Sequence, residues 1–145
     1  MSIPMATPHD PASVPLRRRL AVRAAVGGAH LLSRLPPRRI RAVLTRLRRG
    51  STPASPEEAG TAHQEVVATS LACASARGCV VRSLAVVLLC RARGQWATWC
   101  VGPRAIPPFS AHAWVEAAGK PVGEPYPPGY FRRLITVGPP PDGDK

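Results

Sequence analysis

The spacing of apolar residues changes character once along this chain, near residue 95, from a helical period to short strand-like runs. Leu16, Leu20, Ala24, Gly27 and Leu31 recur at helical spacing with Val22 and Val26 beside them, which predicts an amphipathic helix over residues 16–34 with that row as its apolar face. Pro36 and Pro37 end it, and Pro37 suits the first position of the next helix, where a missing N–H costs nothing. Ile40, Val43, Leu44 and Leu47 mark the inner face of that second helix, and Gly50 is its stop. Ser55, Pro56 and Glu58 then form a capping box with proline at the first helical turn. The third helix begins there and runs through EVVATSLACA, with Ala59, Ala62, Val66 and Thr69 or Ser70 on one side. Ala76, Arg77 and Gly78 break it. A fourth helix occupies CVVRSLAVVLLCRAR, residues 79–93, with Val80, Leu84, Val87 and Leu88 inside and Gly94 as its C-terminal stop.

Beyond Gln95 the runs QWATWCV, AHAWVEA, KPVGEP and RRLITV are short, rich in Trp, Val and Thr, and separated by Pro and Gly. AAGK, residues 117–120, reads as a hairpin turn joining the second run to the third. Helices first and an antiparallel sheet afterwards make an α+β domain. The expected organisation is a loose tail over 1–15, a basic helical extension over 16–50, a core over 51–137 and a second loose tail over 138–145.

Composition refines this. A chain of 145 residues with 45% apolar content fits one modest core. The net charge of +12 is concentrated in residues 16–50, which hold eleven arginines and no acid. Such a segment suits an acidic partner, but no aromatic side chains interleave with it, so the stacking platform of a single-strand nucleic-acid binder is missing. No secretory signal pattern opens the chain, and charges interrupt each apolar stretch, so a cytoplasmic location without a membrane span is expected. Cys73, Cys79, Cys90 and Cys100 then read as thiols. Their spacing offers no CxxC pair for zinc.

Two residues carry candidate chemistry. His112 sits in a strand-like run, on the same face as Trp114 and Glu116. Cys79 opens a helix directly after Gly78, where unpaired amides and the helix dipole stabilise a thiolate, and Arg77 and Arg82 add positive charge. A thiolate at a helix start with a histidine and a carboxylate from a following sheet is the arrangement of a cysteine nucleophile, its acid/base and its orienting group. Glu116 is four residues along the strand from His112, about 13 Å away, so Glu124 on the strand folded back beside it is the better third member. Cys73, Cys90 and Cys100 read as small buried apolar residues, and Trp114 as a lining of the site.

GCVVRSLAVVLLCRARG, TWCVGPR and PPFSAHAWVEAAGKPVGEPY, in this order, resemble the stand-alone leader peptidases of lasso-peptide biosynthesis, the B2 proteins of the transglutaminase-like superfamily. The similarity extends upstream to RLPPRRIRAVLTRLRRG and covers residues 15–137. It implies a papain-like or transglutaminase-like core whose Cys-His-acid triad cleaves the leader from a ribosomally made precursor. Matched position by position, the nucleophile falls on Cys79, the base on His112 and the third member on Glu124, where some members carry aspartate. The resemblance further implies a separate leader-recognition partner, the B1 protein, and an ATP-dependent cyclase acting afterwards. Such a triad needs no metal or organic cofactor. Acyl transfer to an amine, and a basic scaffold in which the Cys-His pair is incidental, are the competing readings.

Overall fold

A computed structural model of the chain describes residues 15–69, 78–107, 110–124 and 129–141. Residues 1–14 and 142–145 of the expected tails over 1–15 and 138–145, the third helix beyond Thr69, Cys73, Ala76 and Arg77 lie outside these residues. Among the described residues four helices precede the main sheet: α1 (Leu16–Ser33), α2 (Pro37–Leu47), α3 (Pro56–Thr69) and α4 (Cys79–Ala92). The strands are β1 (Thr52–Pro53), β2 (Gln95–Trp96), β3 (Thr98–Pro103), β4 (Ala111–Ala117), β5 (Lys120–Val122) and β6 (Ile135–Val137). The architecture is the expected α+β one, consistent with a papain-like core.

The Ser55 capping box closes reciprocally at the start of α3. The Ser55 N–H donates to Glu58 Oε1 at 2.9 Å, and the Glu58 N–H donates to Ser55 Oγ at 3.1 Å. Ala118 and Gly119, with φ of 52° and 77°, form the tight turn of the β4–β5 hairpin at the expected place. The main sheet runs β5-β4-β3-β6 with every pair antiparallel. QWATWCV proves to be two strands. β2 leaves the main sheet to pair in parallel with β1, a two-residue strand containing a proline that no alternation marks.

The core is organised around α4, with α1 and α3 packed on it and the sheet against its other side. Ser83 to Val87, Leu89 and Cys90 are buried, whereas Val80 and Leu88 of the expected inner row are half-buried. Burial on nearly all sides replaces the expected single stripe, because α4 has neighbours all round. Trp96 and Trp99 fill the space between helix and sheet, their indole N–H groups donating to the Val137 carbonyl and to Ser83 Oγ, each at 3.0 Å.

α1 forms where expected but buries a different row. Val22, Ala25 and Ala29 face α4, while Leu16, Leu20, Ala24, Gly27 and Leu31 face outward. The buried row is made of smaller side chains, and an added Cβ at Gly28 would already stand 3.3 Å from Leu88 Cδ1, so close approach of the two helices selects this face. Arg18 of α1 and Arg93 after α4 both pair with the buried Glu65 of α3, at 2.8 and 2.6 Å, tying the three helices together. Among the described residues no helix is long and apolar enough to cross a membrane.

Candidate active site

The site forms where the start of α4 meets the start of β4. Cys79 is the first residue of α4, so its side chain stands at the positive end of that helix. The register of β3 on β4 sets Gly102 opposite His112. β5 pairs with residues 115–117, so among the described residues it leaves that edge of β4 unpaired beside the histidine. The hairpin then returns Glu124 to the opening. KPVGEP is a strand only to Val122, and Glu124 sits two residues beyond it rather than on the strand as expected. Gly123, with φ of 69°, makes the bend that turns the carboxylate toward the ring.

Glu124 Oε2 lies 3.1 Å from His112 Nε2. The Cys79 thiol is hydrogen-bonded to the same imidazole and to the backbone N–H of Ala113. These contacts lower the Cys79 pKa, the histidine bond most strongly, and they outweigh the opposing effect of burial. The Arg82 charge acts in the same direction. Burial by itself would lower the pKa of His112. Hydrogen bonds to Cys79 and Glu124 and the charge of the carboxylate reverse that, raising it to about 9. Both shifts move the pair toward thiolate beside imidazolium. The sequence-selected residues Cys79, His112 and Glu124 are thus brought together, and Arg82 contributes as anticipated.

Aromatic rings hold the imidazole. Trp114 stacks near-parallel to it, interplanar angle 10° and centroids 6.0 Å apart, and Phe131 lies closer, at 4.4 Å. Phe131 arrives there because residues 131–134 cross β3 at Gly102. A Cβ at Gly102 would sit 1.5 Å from the Arg132 carbonyl oxygen, so only glycine admits the crossing chain. Neither Phe131 nor His63 is signalled by the sequence pattern. His63 of α3 packs its ring on Gly123, and burial and Arg82 lower its pKa against the pull of Glu124. The one available signal was the glycine, which marks both crossing points.

Glu116, the rejected carboxylate, lies elsewhere in the network. It accepts from the Trp114 indole at 2.8 Å and from Arg133 through both Nε and Nη2, the shortest contact being 2.5 Å. Cys90 and Cys100 are buried free thiols whose pKa values burial pushes up to about 11 and about 12. Among the described residues no three His, Cys, Asp or Glu side chains are grouped so as to hold a metal ion.

A family model, described as the transglutaminase-like superfamily, matches residues 14–136. The chain belongs to the transglutaminase-like superfamily. This superfamily includes cysteine peptidases and acyltransferases and is typically catalytic. No curated protein and no solved structure matches the chain. A cysteine, a histidine and a carboxylate in this order are the residue types that thiol acyl chemistry uses in general.

Proposed function

We propose that this protein is a cysteine peptidase that removes the leader from a lasso precursor peptide, working with a separate leader-recognition protein. The observation that carries the catalytic part is the bonded chain Cys79, His112, Glu124 at a helix start, with the cysteine pKa lowered and the histidine pKa raised. The substrate and the partner rest on the resemblance of the Cys-x-x-Arg-Ser-Leu and His-Ala-Trp-Val-Glu blocks.

In this reading the Cys79 thiolate attacks the carbonyl carbon of the scissile amide. The Cys79 backbone N–H, at the helix start, is the donor we assign to the developing oxyanion. His112, as imidazolium, protonates the departing amine nitrogen, leaving a thioester and a neutral ring. Water then gives a proton to His112 as it adds to the thioester, and collapse releases the leader acid and restores the thiolate–imidazolium pair. Glu124 accepts from Nε2 throughout, which leaves Nδ1 to exchange the proton. Arg38, Arg39 and Arg41 on the exposed side of α2 are placed to attract an acidic leader, partner or cyclase.

The test is mass spectrometry of the precursor encoded beside this protein, incubated with the recognition partner and either wild type or Cys79→Ala. Cleavage by the wild type alone supports the reading. Cleavage by both removes Cys79 from the chemistry, and cleavage by neither, with the partner shown to bind, favours a scaffold. A product heavier than the hydrolysed leader by the mass of an amine less one water would identify acyl transfer.

A further inference from the structure

α1 presents an apolar row to solvent that nothing in the described fold covers. Leu16, Leu20 and Leu31 are 65%, 59% and 67% exposed, with exposed Ala24 and Gly27 between the latter two. Scattered exposed leucines are ordinary, but these lie on one stripe. At 100° per residue the five positions fall within roughly 80° of the helix circumference.

The two adjacent glycines of α1 separate what the fold needs from what it does not. Gly28 is accounted for by Leu88, 3.3 Å from where its Cβ would stand. Among the described residues an added Cβ at Gly27 meets nothing within 4 Å, so no packing among them requires glycine there. A mid-helix glycine costs about 1 kcal/mol relative to alanine. Gly27 and Ala24 instead leave a notch between Leu20 and Leu31, which are about 16 Å apart along the axis.

The charges beside the notch are of one sign. Arg23 lies four residues before Gly27 and Arg34 seven after it, both exposed and on the same row. Arg18, by contrast, is turned to Glu65. No ion pair involves Arg23 or Arg34 among the described residues.

We propose that this face of α1 docks an acidic amphipathic helix of another protein, which lays one large apolar side chain into the notch over Gly27 and sets carboxylates against Arg23 and Arg34. A second copy of this chain fits poorly, because a two-fold contact would set these arginines against themselves in a protein of net charge +12. A lipid surface matches the charge but not the relief. Interfacial helices bury a broad apolar face, whereas this stripe is narrow and dips at its middle, as ridge-into-groove packing with another helix requires. The inference stands whether or not Cys79 is a peptidase nucleophile.

The full chain is titrated by fluorescence anisotropy against a labelled synthetic helix of roughly 20 residues with Leu and Phe at alternate third and fourth positions and Glu elsewhere. A control peptide keeps the charges and replaces each apolar residue by Ala. Saturable binding of the first peptide is expected, weakened at least about tenfold by Gly27→Phe and by Leu20→Gln with Leu31→Gln. Arg23→Gln with Arg34→Gln should weaken it and flatten its salt dependence. Gly27→Phe enters open space, and circular dichroism confirms its fold. If that variant does not fold, the exposed leucine pair carries the test. Equal binding of the Ala control, no binding of either peptide, or no effect of the notch and leucine variants overturns the proposal. So does self-association that Gly27→Phe abolishes, or tighter binding to phosphatidylglycerol vesicles than to the peptide.

Discussion

The two ends of β4 hold the same kinds of parts and use them oppositely. Near its start stand Cys79, His112 and Glu124, and near its end stand Cys100, Arg133 and Glu116. Each end has a thiol, a carboxylate and a nitrogen base. At the far end the base is a guanidinium, which stays charged and grips Glu116 through two nitrogens, so it can hold a strand but cannot pass a proton. Burial and the Glu116 charge raise Cys100 to about 12 in spite of that arginine. At the near end the base is an imidazole, which the cysteine and the carboxylate both contact, and the thiol pKa falls. A triad of suitable residue types becomes reactive only where the middle member can exchange its proton and the thiol meets a helix start.

The largest contrast should therefore be between the cysteines. At pH 7.5 Cys79 should be alkylated by iodoacetamide at least about 10³ times faster than Cys100, since each pKa unit is a tenfold change in thiolate fraction. Peptide mapping after timed exposure reads both rates, and comparable rates in the folded protein would erase the distinction. His112→Ala should lower turnover by about 10² to 10⁴ and move the pH dependence of Cys79 alkylation upward, toward that of an ordinary thiol.

Exchanging the carboxylates sharpens the comparison. Glu124→Gln removes the carboxylate charge that helps the Cys79 bond raise His112, so its pKa should fall below about 9. In the proposed mechanism the imidazolium is the acid, so the activity lost as pH rises through about 9 in the wild type should be lost at lower pH in the variant. Glu116→Gln should do the reverse, leaving the pH profile in place. It weakens the contact with a half-exposed Arg133 and should cost about 1–3 kcal/mol, measured by urea denaturation. A shifted pH profile in Glu116→Gln would mean that the two ends are not separate.

Much of this was legible along the chain, because capping boxes, positive-φ turns and helix starts are local. Ser55 with Glu58, the AAGK turn and Cys79 after Gly78 needed no partner to be recognised. The choice of Glu124 over Glu116 followed from strand rise and from the hairpin that folds the chain back, although Glu124 lies beyond the strand rather than on it. The inward face of α1 was not legible, because both of its apolar rows repeat at helical spacing. What decides between them is how closely Val22, Ala25, Gly28 and Ala29 let α4 approach, a property of two surfaces at once. β1 escaped because two residues carry no period. Phe131 and His63 escaped because their roles depend on contacts made far along the chain, at Gly102 and Gly123, where a glycine shows that something passes closely but not what.

The His63 contact gives the smallest and most selective test of the near end. Gly123→Ala meets two obstacles, a φ of 69° and a Cβ 2.3 Å from His63 Cε1, and should destabilise the hairpin by about 1–3 kcal/mol while displacing Glu124. Combining it with His63→Ala removes the collision and leaves the backbone strain, so stability should return in part but not fully. His63→Ala alone only unsupports the turn, and its effect on kcat should be well below the about 10²-fold that a misplacement of 1 Å can cost. His63→Phe, which keeps a ring on Gly123, should restore most of it. Burial and Arg82 already disfavour the charged form of His63, so neither variant removes a cation at neutral pH, and the alkaline limit set by His112 should stay near 9. If His63→Phe is as impaired as His63→Ala, or if the limit moves in both, His63 takes part in proton exchange rather than in holding the turn, and the near end has two working imidazoles.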